Sequence, residues 1–88
     1  MSMYGANPEQ LAHLGTTLNR QIDVIAQVMS SVDGVLGGTT WQGPARDRFT
    51  EEWNGSFKQA LNHLNEAFAM AGRDCIVRSE ELRRVMGT

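Results

Sequence analysis

The chain has 88 residues, two Pro, nine Gly, a single Cys, 41% hydrophobic residues and a formal net charge of −2. That length allows one domain, spanning 1–88, close to the size at which a lone chain struggles to bury an adequate core. The acidic balance disfavours a nucleic-acid partner, the lone Cys75 excludes an internal disulfide framework, and no apolar run is long enough to span a membrane.

Charge is uneven along the chain. Residues 1–40 carry one basic residue, Arg20, and three acidic ones, Glu9, Asp23 and Asp33, whereas residues 41–88 carry seven of each sign. No block of like charge indicates a polybasic or acidic tail. Met1 to Ala6 lacks a charged start and an apolar centre, so no Sec-type signal peptide is expected.

The first helix is signalled by Asn7-Pro8-Glu9-Gln10. Asn suits the N-cap, Pro at the first helical position has no N–H to leave unpaired, and Gln at the third can close a capping box. Apolar residues then recur at Leu11, Leu14, Leu18, Ile22, Ile25, Met29, Val32 and Leu36, in steps of three and four. Val24, Val28 and Val35 widen this row to an arc of about 160°, against the roughly 100° that one packing neighbour requires. Thr16, Arg20, Asp23, Gln27 and Ser30 fall opposite. The excess width predicts that this helix touches more than one neighbour. Gly34, Gly37 and Gly38 are expected to end it.

Trp41-Gln42-Gly43-Pro44 follows, and Pro44 again suits a helix start. The second helix reads from about Pro44 to about Met86. Its apolar row runs through Ala45, Phe49, Trp53, Phe57, Ala60, Leu64, Ala67 or Phe68, Ala71, Cys75, Leu82 and Val85, with Leu61 beside it. Asn54-Gly55 could be read as a turn, but the apolar phase continues from Trp53 to Phe57, which favours a continuous helix. The two helices, about 7–36 and 44–86, would be ~45 and ~60 Å long. Their short link forces an antiparallel hairpin. The expected fold is all-α: a helix-turn-helix hairpin whose open side is covered by a second hairpin, giving a four-helix bundle.

Trp41-Gln42-Gly43 at the link, followed by Pro44-Ala45, Phe49 and Trp53, resembles the WXG-type proteins of about one hundred residues, the ESAT/CFP-like family of type VII (ESX) secretion. The resemblance covers the whole chain and implies a non-enzymatic protein that acts by dimerisation and recognition. It implies a homodimer, or a heterodimer with another WXG-type protein, and a possible contact with the type VII secretion ATPase. It further implies cytoplasmic synthesis, with export through type VII without a cleavable signal peptide as one outcome. Trp41 and Gly43 would shape the turn. Leu11, Leu14, Leu18, Ile22, Ile25, Met29, Phe49, Trp53, Phe57, Leu64 and Phe68 would form the hairpin core and dimer interface. The family's C-terminal Tyr-x-x-x-Asp/Glu signal is degenerate: Cys75 takes the Tyr position, Ser79 the acidic one, and Glu80 lies one residue beyond. The resemblance then implies either export beside a partner that carries the signal or an unsecreted homodimer.

Sites of chemistry are sparse. Cys75 reads as a small buried thiol. His13 and His63 stand alone, without the three or four ligands zinc requires. Glu51 and Glu52 point about 100° apart and are no acid–base pair, and no nucleophile or phosphate-loop motif occurs. Neither enzyme, metal nor cofactor is expected. Arg78, Arg83 and Arg84 suit a helix C-terminus or a partner contact, and Glu80 and Glu81 neutralise them against membrane or nucleic acid. Two rival functions are a membrane-active effector and a cytoplasmic adaptor or chaperone-like module for a larger WXG-domain effector.

Overall fold

Each helix start is set by its local sequence. In the computed structural model, which describes residues 6–87, α1 runs Pro8–Gly38. Asn7 is its N-cap, and the Asn7 side-chain oxygen accepts hydrogen bonds from the backbone N–H groups of Glu9 (2.9 Å) and Gln10 (3.0 Å). Gln10 therefore contributes through its main chain. The expectation for Met1 to Gly5 lies outside the described residues.

The glycines near the end of α1 do not stop it early. Gly34, Gly37 and Gly38 remain helical, and the helix ends only at Thr39, whose N–H and side-chain hydroxyl reach back to the carbonyls of Leu36 and Val35. The bend over residues 39–43 leads to Gly43, at φ 128°, a conformation L-residues rarely adopt. Pro44 then opens α2, Pro44–Glu52.

The second arm is not one uniform α-helix. A π turn, Trp53–Phe57, joins α2 to α3, Lys58–Met86. The backbone path stays helical throughout, so Asn54-Gly55 does not break it. What changes is the winding: the Lys58 N–H reaches the Trp53 carbonyl, five residues back, as well as that of Gly55. The result is a helical hairpin with no strand among the described residues.

It is a rod of 65 × 19 × 17 Å with a radius of gyration of 19.3 Å, against about 12 Å for a compact domain of this length. α1 packs along α3, while no Cα of α2 or the π turn comes within 8 Å of α1 in any recurring way. The arms come into close contact at Gly15 and Gly72. A Cβ on Gly15 would lie 2.9 Å from the Gly72 carbonyl oxygen, and one on Gly72 would lie 3.2 Å from that of Gly15. Pro8, Gly15, Gly72 and Ser79 are buried along this seam, and the Ser79 hydroxyl donates to the Ile76 carbonyl at 2.7 Å. Farther along, Asn65 Nδ2 donates to the Ile22 carbonyl at 3.3 Å. Trp53 is the large buried hydrophobic residue among those described.

Candidate interaction surface

The direction of the seam fixes which way every other side chain faces. On α1 it is marked by Gly15, Ile22 and Asp33. At ~100° per residue, Leu11, Leu18, Ile25, Met29 and Leu36 lie roughly 35–75° to one side of it. Leu14, Val32, Val28 and Val35 lie farther round in the same sense, by roughly 95–155°. On α3 the seam is marked by Asn65, Gly72 and Ser79. Phe68, Phe57, Cys75, Leu64, Leu82 and Ala71 are displaced from it by roughly 40–100° in the same rotational sense.

Two right-handed helices running antiparallel place equal-sense displacements on the same side of the pair. Both apolar flanks therefore share one side of the hairpin. The other side carries Thr16, Asp23 and Ser30 on α1 with Asn62, Glu66, Arg73 and Glu80 on α3, all exposed. The hairpin is thus amphipathic as a whole, with one apolar side and one largely polar side on which Met70 and Val77 are also exposed.

Of the residues expected to form the hairpin core and dimer interface, Trp53 is buried; Leu11, Leu18, Ile22, Ile25, Met29, Phe49 and Phe68 are half-buried; and Leu14 (47%), Phe57 (43%) and Leu64 (42%) are exposed. A single hairpin therefore encloses few of them. Cys75, expected to be buried, is only half-buried, because it sits on the apolar flank and not on the seam. His13 and His63 are exposed.

At the closed end of the rod the apolar side deepens into a groove of about 380 Å³, lined by Val32, Val35, Leu36, Thr39, Trp41 and Phe49 among others. The bend places Trp41 here, and α2 places Phe49. Trp41 and Phe49 meet at 6.4 Å between ring centroids, tilted by 39°, and Phe49 stacks on Trp53 at 6.2 Å and 10°. Trp41 remains 40% exposed, so it forms a wall of the groove instead of sealing the end of the core.

Behind the aromatic ladder lies a cluster that periodicity alone does not single out. The Trp53 indole N–H donates to Asp33 Oδ1 at 2.8 Å, and Lys58 Nζ lies 2.8 Å from Asp33 Oδ2. The Lys58 hydrogen bond, then that from Trp53, hold the Asp33 carboxyl below its ordinary pKa, against a small opposing desolvation. Asp33 was visible in sequence as a carboxylate on the inward stripe of α1. Gly15 and Gly72, mid-helix glycines on α1 and α3, gave no such signal, since a glycine adds nothing to a hydrophobic pattern.

Toward the other end, Ser79 and Glu80 face differently. Ser79, where the family signal would place an acid, is 1% exposed against α1, while Glu80 is exposed on the polar side. Among the described residues no helix is long and apolar enough to cross a membrane, and no three His, Cys, Asp or Glu side chains group as metal ligands. No protein-family model matches the chain, and no curated protein or solved structure is significantly similar to it.

Proposed function

We propose that this protein is a small, non-enzymatic interaction protein of the WXG type. Its work is to pair with a second helical hairpin in a four-helix bundle, as a component or substrate of a type VII secretion system. One observation carries the pairing: a single hairpin leaves the apolar flanks of both arms open on the same side, with Leu14, Phe57 and Leu64 each more than two-fifths exposed. A contiguous apolar patch larger than a few hundred Å² is uncommon on a monomer. One-sidedness favours one partner hairpin over a larger radial assembly.

The secretion assignment rests on the resemblance around Trp41-Gln42-Gly43 and the hairpin plan. The partner is a second copy or another WXG-type chain. The degenerate signal at Cys75, Ser79 and Glu80 supports a division of labour in which a partner bears the export signal and this chain is carried with it. An unsecreted adaptor for a larger WXG-domain effector uses the same face and differs only in destination.

The test is the native mass across a dilution series, by light scattering after size exclusion. A mass of two chains that turns to one chain in Leu64→Asp, with helicity retained, supports pairing through this face; Leu64 is exposed enough for the hairpin to tolerate the change. A wild-type chain that stays monomeric and fully helical at millimolar concentration overturns self-pairing and leaves another WXG-type chain as the partner to be sought. For export, the protein is followed in culture medium with and without the secretion ATPase. Its appearance in the medium only with the ATPase supports the secretion role, and its retention in both cases selects the adaptor.

A further inference from the structure

The π turn has a geometric consequence at Trp53. Extending the winding of α3 backwards as a regular α-helix, at ~100° per residue, would place Trp53 roughly 100° away from the seam. It would then stand among Phe57, Leu64 and Cys75 on the open apolar side. The π turn takes up one extra residue and returns Trp53 to the seam, where it is 6% exposed and hydrogen-bonded to Asp33. The same extra residue brings Trp53 and Lys58 together. Five positions apart, they would be about 140° apart on an α-helix, yet both reach the two oxygens of one carboxylate.

We propose that the π turn is a two-position latch held closed by Asp33. In the closed position the indole lies against α1. In the released position Trp53–Phe57 rewinds as α-helix, α2 turns by roughly 100° about its axis, and Trp53 joins the apolar face. The inference rests on the hairpin's own geometry and holds whatever covers that face. Neither Gly55 nor the backbone of α2 blocks rewinding: a Cβ at Gly55 would meet no atom within 4 Å, and α2 is free of close backbone contact with α1, so the packed ring of Trp53 is what must be withdrawn. The position of the indole thus depends on what holds it against α1, namely Asp33 with its paired Lys58 and the burial of the ring itself.

The latch is read by hydrogen-bond scalar couplings in NMR on Asp33→Ala, in a Trp41→Phe background so that Trp53 is the sole indole. The wild-type acid should give a coupling between the Lys58 nitrogen and the Trp53 carbonyl carbon. Asp33→Ala should lose it and gain one to Asn54, with Trp53 fluorescence becoming accessible to acrylamide. A folded Asp33→Ala protein that keeps the Trp53 coupling and a shielded indole overturns the latch.

Should Asp33→Ala fail to fold, deletion of Gly55 decides. It sets Trp53 and Lys58 four apart, so a plain α-helix keeps both on the seam without a latch. Asp33→Ala combined with that deletion should then fold with Trp53 shielded. A double variant that is unfolded, or folded with an exposed indole, overturns the proposal, because Asp33 would then serve something other than the turn.

Discussion

The two halves of the rod join the same pair of arms by opposite means. Around Gly15 and Gly72 the backbones nearly touch, and contact is made by the absence of side chains. Around Trp41, Phe49 and Trp53 the backbones stand apart, and three rings with one carboxylate span the gap. The first half gains close packing and Cα-level contact; the second gains a groove and a specific polar lock. The close glycine contact and the open groove thus lie in different halves of the rod.

The comparison is broken most severely by removing the ring that fills the wider half. Trp53→Ala should cost about 3–5 kcal/mol, the usual range for truncating a buried aromatic. It also leaves Phe49 without its stacking partner and Asp33 without the indole N–H. Trp53→Phe should recover most of the loss while still lacking the hydrogen bond. Urea midpoints of the two variants check this; equal midpoints would mean that the ring's bulk contributes little. In the narrow half, the opposite change should be harmful. Gly15→Val puts a branched side chain where a Cβ alone lies 2.9 Å from the Gly72 carbonyl oxygen and from Ile76. A loss of about 1–3 kcal/mol is expected from overpacking, even though Gly is itself a poor helix former. Gly72→Ala should be milder, because the nearest atom to its Cβ belongs to the movable Asn19 amide.

How far the sequence disclosed this arrangement differs between the halves. The hairpin, both helix starts and the wide apolar arc follow from Asn7-Pro8, Pro44 and the three-and-four spacing, because these are local signals. The π turn was not legible in the spacing: Trp53 and Phe57, four apart, read as one apolar row on a regular helix, whereas the extra residue carries Trp53 to the seam and leaves Phe57 exposed. Reading the phase as continuous was right about the helical path and wrong about the phase, which shifts at the π turn. Gly15 and Gly72 were harder, since a glycine carries no hydrophobic weight and its value depends on a partner nearly sixty residues away. The glycines at 34, 37 and 38 looked like a stop, and α1 does end at the last of them, Gly38, two residues beyond the expected 36, with Thr39 as its C-cap.

At the bend between the halves, Gly43→Ala should cost about 1–3 kcal/mol from backbone conformation alone, since φ 128° is strained for any residue with a Cβ and no atom lies near enough to add a clash. Thermal melting reads the loss. A change within error would mean that the bend relaxes to a negative φ without consequence for the arms.

The smallest expected effect is electrostatic and belongs to the wide half alone. The Asp33 carboxyl has a folded pKa below its ordinary value, first because of Lys58 and then because of Trp53. A lowered acid pKa contributes stability that is complete above the unfolded aspartate value of about 3.9 and is lost as pH falls through the folded value. The glycine seam holds no such group, so acid should loosen the aromatic end first. Amide exchange followed from about pH 5 down to about pH 2 should show protection falling at Asn54 to Lys58 before it falls around Gly15 and Gly72. Asp33→Asn should remove that early loss while leaving the seam unchanged. Simultaneous loss at both ends in the wild-type protein would mean that the two halves open as one unit, and that the polar lock governs register without giving the closed end any independence.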